Sequence, residues 1–147
     1  MAKIYIKKIV QDKALPLPQY ISDGAAGMDL YAYVEDDTII EPGKIELIPT
    51  GYAVKIPEGY EIQIRSRSGL ALKNGIIVLN SPGTIDSDYT GEIKIILINL
   101  GKRDFIIKKY DRIAQMILNK VEKIQFVCTD TLPVTKRGNG GFGHTGI

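Results

Sequence analysis

Cysteine is almost missing from this chain: Cys128 stands alone among 147 residues, which excludes an internal disulfide and points to a reducing compartment. Long apolar runs are missing too. The longest, such as Ile93–Leu100, is interrupted by Lys94 and Asn99 and falls far short of the ~20 residues that span a bilayer, so no membrane partner is expected. The first ten residues are broken by lysines and do not form the apolar stretch of a signal peptide, and a cytoplasmic location is expected. Nor is there an excess of one charge. The balance of 19 basic and 17 acidic residues gives +2, well below the dense basic surface of a nucleic-acid binder, so any phosphate recognition is local.

What is present is a succession of short segments rich in Ile, Val and Tyr, at 3–10, 29–34, 45–54, 60–66, 76–80, 92–100, 104–110 and 112–121. β-Branched and aromatic residues fit a pleated sheet, and turn signals around Pro42, Pro57, Pro82 and Gly101 separate the runs. The pattern predicts an all-β sandwich or jelly roll over residues 1–132. One short helix is expected at 68–75, capped by Ser68 and stopped by Gly75. Residues 133–147 form a separate arm, because 137–147 hold five glycines and almost nothing able to join a core.

Five segments carry candidate chemistry. In the tail, Arg137 offers a planar charged fork for phosphate, the glycines free backbone N–H groups for anionic oxygens, and Phe142 is an aromatic ring with no neighbour to pack on. Such a strap suits a lid stacking on a nucleobase. In 80–93 the architecture reads as a β-hairpin, with Asp86 pointing away from Ile85 and able to orient and deprotonate a water. The main chain there suits a pyrimidine edge, and Tyr89 suits a sugar. In 65–71, Arg65, Ser66, Arg67 and Ser68 lead into the helix start, where anions are favoured. Residues 110–118 read as a strand with Arg112 and Gln115, and 25–33 as a strand start with Asp29.

In this order the segments AAGMDLYAY, RSRSGLA, NSPGTIDSDYTGEI, YDRIAQMIL and RGNGGFGHTGI resemble the five motifs of the trimeric dUTPase family, from Ala25 to the last residue. The resemblance implies a jelly-roll homotrimer with active sites between subunits, acting as a dUTP diphosphatase with Mg2+. That activity keeps uracil out of DNA and supplies dUMP for dTMP synthesis. It further implies that Asp86 activates the water attacking the α-phosphorus. Asn80 and the backbone of Gly83, Thr84 and Ile85 would read uracil, with Tyr89 packed below the deoxyribose. Arg67, Ser68, Gly69 and Gln115 would contact the phosphates, Asp29 would hold magnesium through water, and Arg112 would support the site by pairing with acidic groups. Arg137, Phe142 and Gly143 would close over the nucleotide.

The family's FGSTG reads FGHTG here, and His144, the chain's one histidine, is read as facing solvent. Two rival functions share parts of this pattern. A dCTP deaminase needs a glutamate proton shuttle where this chain has Asp86, and a non-catalytic dUTP-binding trimer is expected to lack the Asp86 base or the Arg137 grip, both of which are present.

Overall fold

Strict alternation builds the centre of the molecule. Ile93, Ile95 and Leu97 are buried while Lys94 between them is exposed, and this period of two gives a strand one core face and one outer face. The computed structural model describes residues 2–142. Its elements are β1 (Tyr5–Lys8), β2 (Met28–Tyr31), β3 (Thr38–Ile40), β4 (Ile45–Lys55), β5 (Tyr60–Arg65), α1 (Ser68–Asn74), β6 (Ile76–Val78), β7 (Gly83–Ile85), β8 (Glu92–Asn99), β9 (Phe105–Ile107) and β10 (Arg112–Lys120). All-β with one short helix is what the sequence predicts. β3 and β7 go beyond the expected strands. Each is only three residues long, and each was hidden among acidic or turn residues.

One sheet runs β1-β4-β8-β6, a second runs β2-β10-β5-β7, and β3 and β9 form a two-stranded ribbon. A single cluster joins the sheets, with Ile48, Ile95 and Leu97 from the first packed with Leu30, Ile62, Ile64 and Met116 from the second. Each such side chain contributes about 1.5–3 kcal/mol on burial, which is what holds the two sheets face to face. β4 bends between its halves. Its register shifts between Pro49 and Ala53, and Gly51 sits at φ +73°, where a side chain would be strained and would press on Leu15. Buried Thr50 repairs the break by donating to the Ile93 carbonyl at 2.6 Å. Buried Asn99 ties the ribbon to the sheet, donating to the Ile40 carbonyl at 2.7 Å and accepting from Gly101 N–H at 2.8 Å.

The helix differs from expectation at its start. Arg67, not Ser68, is the N-cap, with extended backbone (φ −85°, ψ 125°), and no side chain caps the helix. Ser68 is already helical, because the Arg67 carbonyl accepts the first turn's bond from Ala71 N–H. Gly75 stops the helix as expected, at φ +71°, where a Cβ would lie 2.5 Å from the Gly101 nitrogen. Beyond Lys120 no helix or strand is described. Ile124, Phe126, Leu132 and Val134 stand more than 70 % exposed there, so this stretch adds nothing to the core of its own subunit. No helix among the described residues is long and apolar enough to cross a membrane.

Candidate active site

The register of the second sheet gathers the first group of residues. On β10, Gln115 lies opposite Asp29 of β2 on one side and Arg65 of β5 on the other. Gly27 lets the chain approach β10 closely just before Asp29, since a Cβ there would sit 2.8 Å from Ile117. The Asp29 carboxylate is then held from both sides, Oδ1 at 3.2 Å from Arg67 Nε and Oδ2 at 3.2 Å from Arg112 Nη1. Arg67 also donates to the Arg112 carbonyl at 2.8 Å, so the three residues form one unit. The irregularity between Arg112 and Ala114 turns the start of β10 towards Asp29. Ser66 is structural, its Oγ accepting from Val78 N–H at 2.8 Å, and the neighbouring Ser68 and Gly69 are exposed.

The second group lies around Asp86. The expected hairpin over 80–93 is corrected by the pairing: β7 joins β5 in one sheet, while β8 joins β4 and β6 in the other, so the segment crosses between sheets. Glycine at 83 and a three-residue strand leave β7 as the edge of its sheet, with one row of backbone N–H and C=O groups unpaired. Ile85 packs against the core and Asp86 is exposed, as alternation requires. Asn80 is exposed but close enough to Gly83 that a Cβ there would lie 3.2 Å from its Nδ2.

A tight turn follows, closed by Tyr89 N–H to the Asp86 carbonyl at 3.1 Å and held by Lys55 Nζ donating to the Ser87 carbonyl at 2.9 Å. The Tyr89 ring is fixed in turn. Its hydroxyl donates to the Glu92 carbonyl at 2.8 Å, and the ring lies against Gly91, where a Cβ would come within 2.5 Å of that hydroxyl. Thr84, Ile85, Asp86 and Tyr89 line a cleft of about 340 Å³ together with Leu47, Glu92 and Lys94. These last three were not anticipated. The alternation of β8 puts Glu92 and Lys94 on the face opposite the core residues Ile93 and Ile95, and this was the available signal. A wider hollow of about 840 Å³, including Lys3, Lys55, Glu58 and Lys123, opens on the other side of Asp86.

Within one chain the two groups stay apart. Ile62 pairs with Ile85 and Ile64 with Gly83, so Asp86 lies at the Tyr60 end of β5 while Arg67 lies beyond the Arg65 end. Neither cavity that reaches Asp86 is lined by Asp29, Arg67, Ser68 or Gln115. The described part of the tail joins neither group. Arg137 Nε donates to the Gly140 carbonyl at 2.8 Å within its own turn, and Phe142 is fully exposed. Gly143 and His144 fall outside the described residues. Among the described residues no three His, Cys, Asp or Glu side chains converge as a metal cage. With its carboxylate already paired to two arginines, Asp29 could meet a cation only through water, the direct ligands coming from a bound molecule's own oxygens.

A family model described as dUTPase matches residues 13–146. The chain is 58% identical over 142 residues to the deoxyuridine 5'-triphosphate nucleotidohydrolase of Thermoanaerobacter sp. (strain X514), covering 97% of this chain and 96% of that protein. It is 56% identical over 142 residues to the protein of the same name from Caldanaerobacter subterraneus subsp. tengcongensis, again covering 97% and 96%. Among solved structures it is similar to the Staphylococcus bacteriophage 80alpha dUTPase with dUPNHPP, with a TM-score of 0.83, 26% identity and 99% of each chain covered.

Proposed function

The chain belongs to the dUTPase family and is a deoxyuridine 5'-triphosphate nucleotidohydrolase; we propose that it works as a homotrimer whose sites combine the Asp86 group of one subunit with the Asp29 group of another. The observation that carries this reading is the separation of the two groups along β5. A single chain holds every part, yet among the described residues neither of the two cavities that reach Asp86 joins them. The apolar, exposed stretch from Ile124 to Val134 supports association, since such side chains favour burial against another copy.

In the mechanism, Asp86 takes a proton from water as the water oxygen bonds to the α-phosphorus. The bond from that phosphorus to the oxygen bridging the β-phosphate breaks, giving dUMP and pyrophosphate. The unpaired edge of β7 at Gly83, Thr84 and Ile85, with Asn80, reads the uracil edge. Tyr89, locked by Glu92 and Gly91, walls the deoxyribose and excludes a 2′-hydroxyl. Arg67, Ser68, Gly69 and Gln115 bind the phosphates, and Arg112 holds Asp29 in place. Arg137, Phe142 and Gly143 close over the bound nucleotide. Asp29 would hold Mg2+ through water, and the bound ion would supply charge neutralisation to the triphosphate. The reading places the enzyme in the cytoplasm, beside the nucleotide pool.

The test is pyrophosphate release from dUTP, dCTP, dTTP and UTP assayed in parallel with Mg2+. Turnover of dUTP at least ~10² above dCTP and UTP is expected, because the base edge and the 2′ position are both read by fixed groups. Comparable turnover of UTP would remove Tyr89 from its role.

A further inference from the structure

Tyr110 has a backbone its side chain does not favour. Its φ of +68° lies in the left-handed region, which a bulky aromatic residue adopts only where its surroundings impose it. Those surroundings are specific. The Tyr110 hydroxyl donates to Asp12 Oδ2, and the Lys109 ammonium lies 3.3 Å from the same oxygen. Lys109 is also 4.4 Å above the Tyr33 ring and 5.5 Å from the Tyr110 ring centre, which fixes it between two aromatic faces. Asp12 is anchored in turn by accepting from Ala14 N–H at 2.8 Å. The hydrogen bond from Tyr110 holds the Asp12 carboxyl down at about 2, so the acceptor is charged near neutral pH.

The position of this clamp gives it a role. Tyr110 N–H donates to the Ala32 carbonyl at 2.8 Å, and Ala32 N–H donates to the Asp111 carbonyl at 2.8 Å. Ala32 directly follows β2, which carries Asp29, and the residue after Asp111 is Arg112. The left-handed turn therefore fixes the start of β10 against the end of β2, immediately beside the Arg112–Asp29–Arg67 unit. A small rotation at residue 110 changes where Arg112 points, and the other two residues follow it.

We propose that Tyr110 is a positioning residue for the phosphate side of the site, its strained backbone held by Asp12 and Lys109 so that Arg112 aligns Asp29 and Arg67. The proposal rests on the reading that these three residues serve the magnesium triphosphate. A purely structural role for the clamp predicts a different result: lost melting temperature, with ligand affinities unchanged below the melt.

The experiment measures, by calorimetry on folded full-length protein, affinity for α,β-imido-dUTP with Mg2+ and separately for dUMP, which lacks the β- and γ-phosphates. Tyr110→Phe and Tyr110→Ala weaken the imido triphosphate about tenfold, the scale of a lost hydrogen bond to a charged group, and leave dUMP within about twofold. Tyr110→Gly restores triphosphate affinity to within about twofold of the parent although the ring is gone, because glycine takes positive φ without strain. Asp12→Asn leaves Tyr110 in place and gives the same selectivity at about threefold, which keeps the test open where a Tyr110 variant does not fold. Triphosphate affinity unchanged in the Phe, Ala and Asn variants overturns the clamp, as does a Gly variant as weak as Ala. Should Asp29→Asn and Arg112→Gln also leave triphosphate affinity intact, the underlying reading of the cluster has failed; if they lower it while the Tyr110 variants do not, only the clamp has failed.

Discussion

The two ends of β5 present carboxylates in opposite states. At one end Asp29 is fenced by Arg67 and Arg112, each at 3.2 Å, with its side chain only 12% exposed. At the other end Asp86 is exposed on the rim of a cleft, with no side-chain hydrogen bond or ion pair among the described residues. A carboxylate that must accept a proton from water needs an open oxygen, whereas one that must orient neighbours gains from fixed partners. The difference is what supports the proposed roles, Asp86 as the base and Asp29 as the organiser. It breaks most directly with Asp86→Asn, which keeps the shape and removes the base. Pyrophosphate release should fall by ~10² to 10⁴ while thermal melting and imido-dUTP binding stay near the parent's. Full turnover in that variant would remove Asp86 from the role of base.

A truncation before Arg137 sharpens the same contrast from outside the sheet. The described part of the tail makes its contacts within its own turn and leaves Phe142 fully exposed, so its removal is expected to cost the core little. A folded assembly is expected, with turnover of dUTP reduced about 10², the scale of a lost positioned donor. Loss of folding on truncation would show that the tail is part of the structural body.

Much of this arrangement was legible in the residues, and the rest was not for physical reasons. Alternation on β8 and β10 announces which side chains face inward, and Gly75 announces where α1 stops, because local conformation decides both. The partner of β7 was not legible. Turn residues on either side of a three-residue strand read as a hairpin, and only the tertiary register shows that it pairs with β5 instead. Equally hidden was the grip of Arg67 on Asp29, which depends on β10 lying between their strands. Ser68 looked like a cap on composition alone, but the chain turns one residue earlier and spends the Arg67 side chain on Asp29. Tyr110 gives no sequence sign of a left-handed backbone, since that signal is read from glycine.

The smallest expected effect lies at the Asp29 end of β5, which leans on Asp12 through Tyr110. Asp12 has its carboxyl lowered from 3.8 to about 2, first by the Tyr110 hydrogen bond and against the pull of burial. A group held below its unfolded value binds its proton more readily in the unfolded chain. Its contribution is therefore complete above about pH 4, and it is lost as pH falls from there through 2. Tyr110 has the opposite sign: the same bond raises its phenol, so its contribution is present below pH 10 and fades as pH rises beyond. Melting curves of the parent and of Asp12→Asn, taken at steps from pH 7 to pH 2, should differ by a small and constant amount down to about pH 4 and then converge. If the Asp12→Asn difference persisted undiminished to pH 2, the Asp12 carboxylate would not be the acceptor that braces this end of the strand.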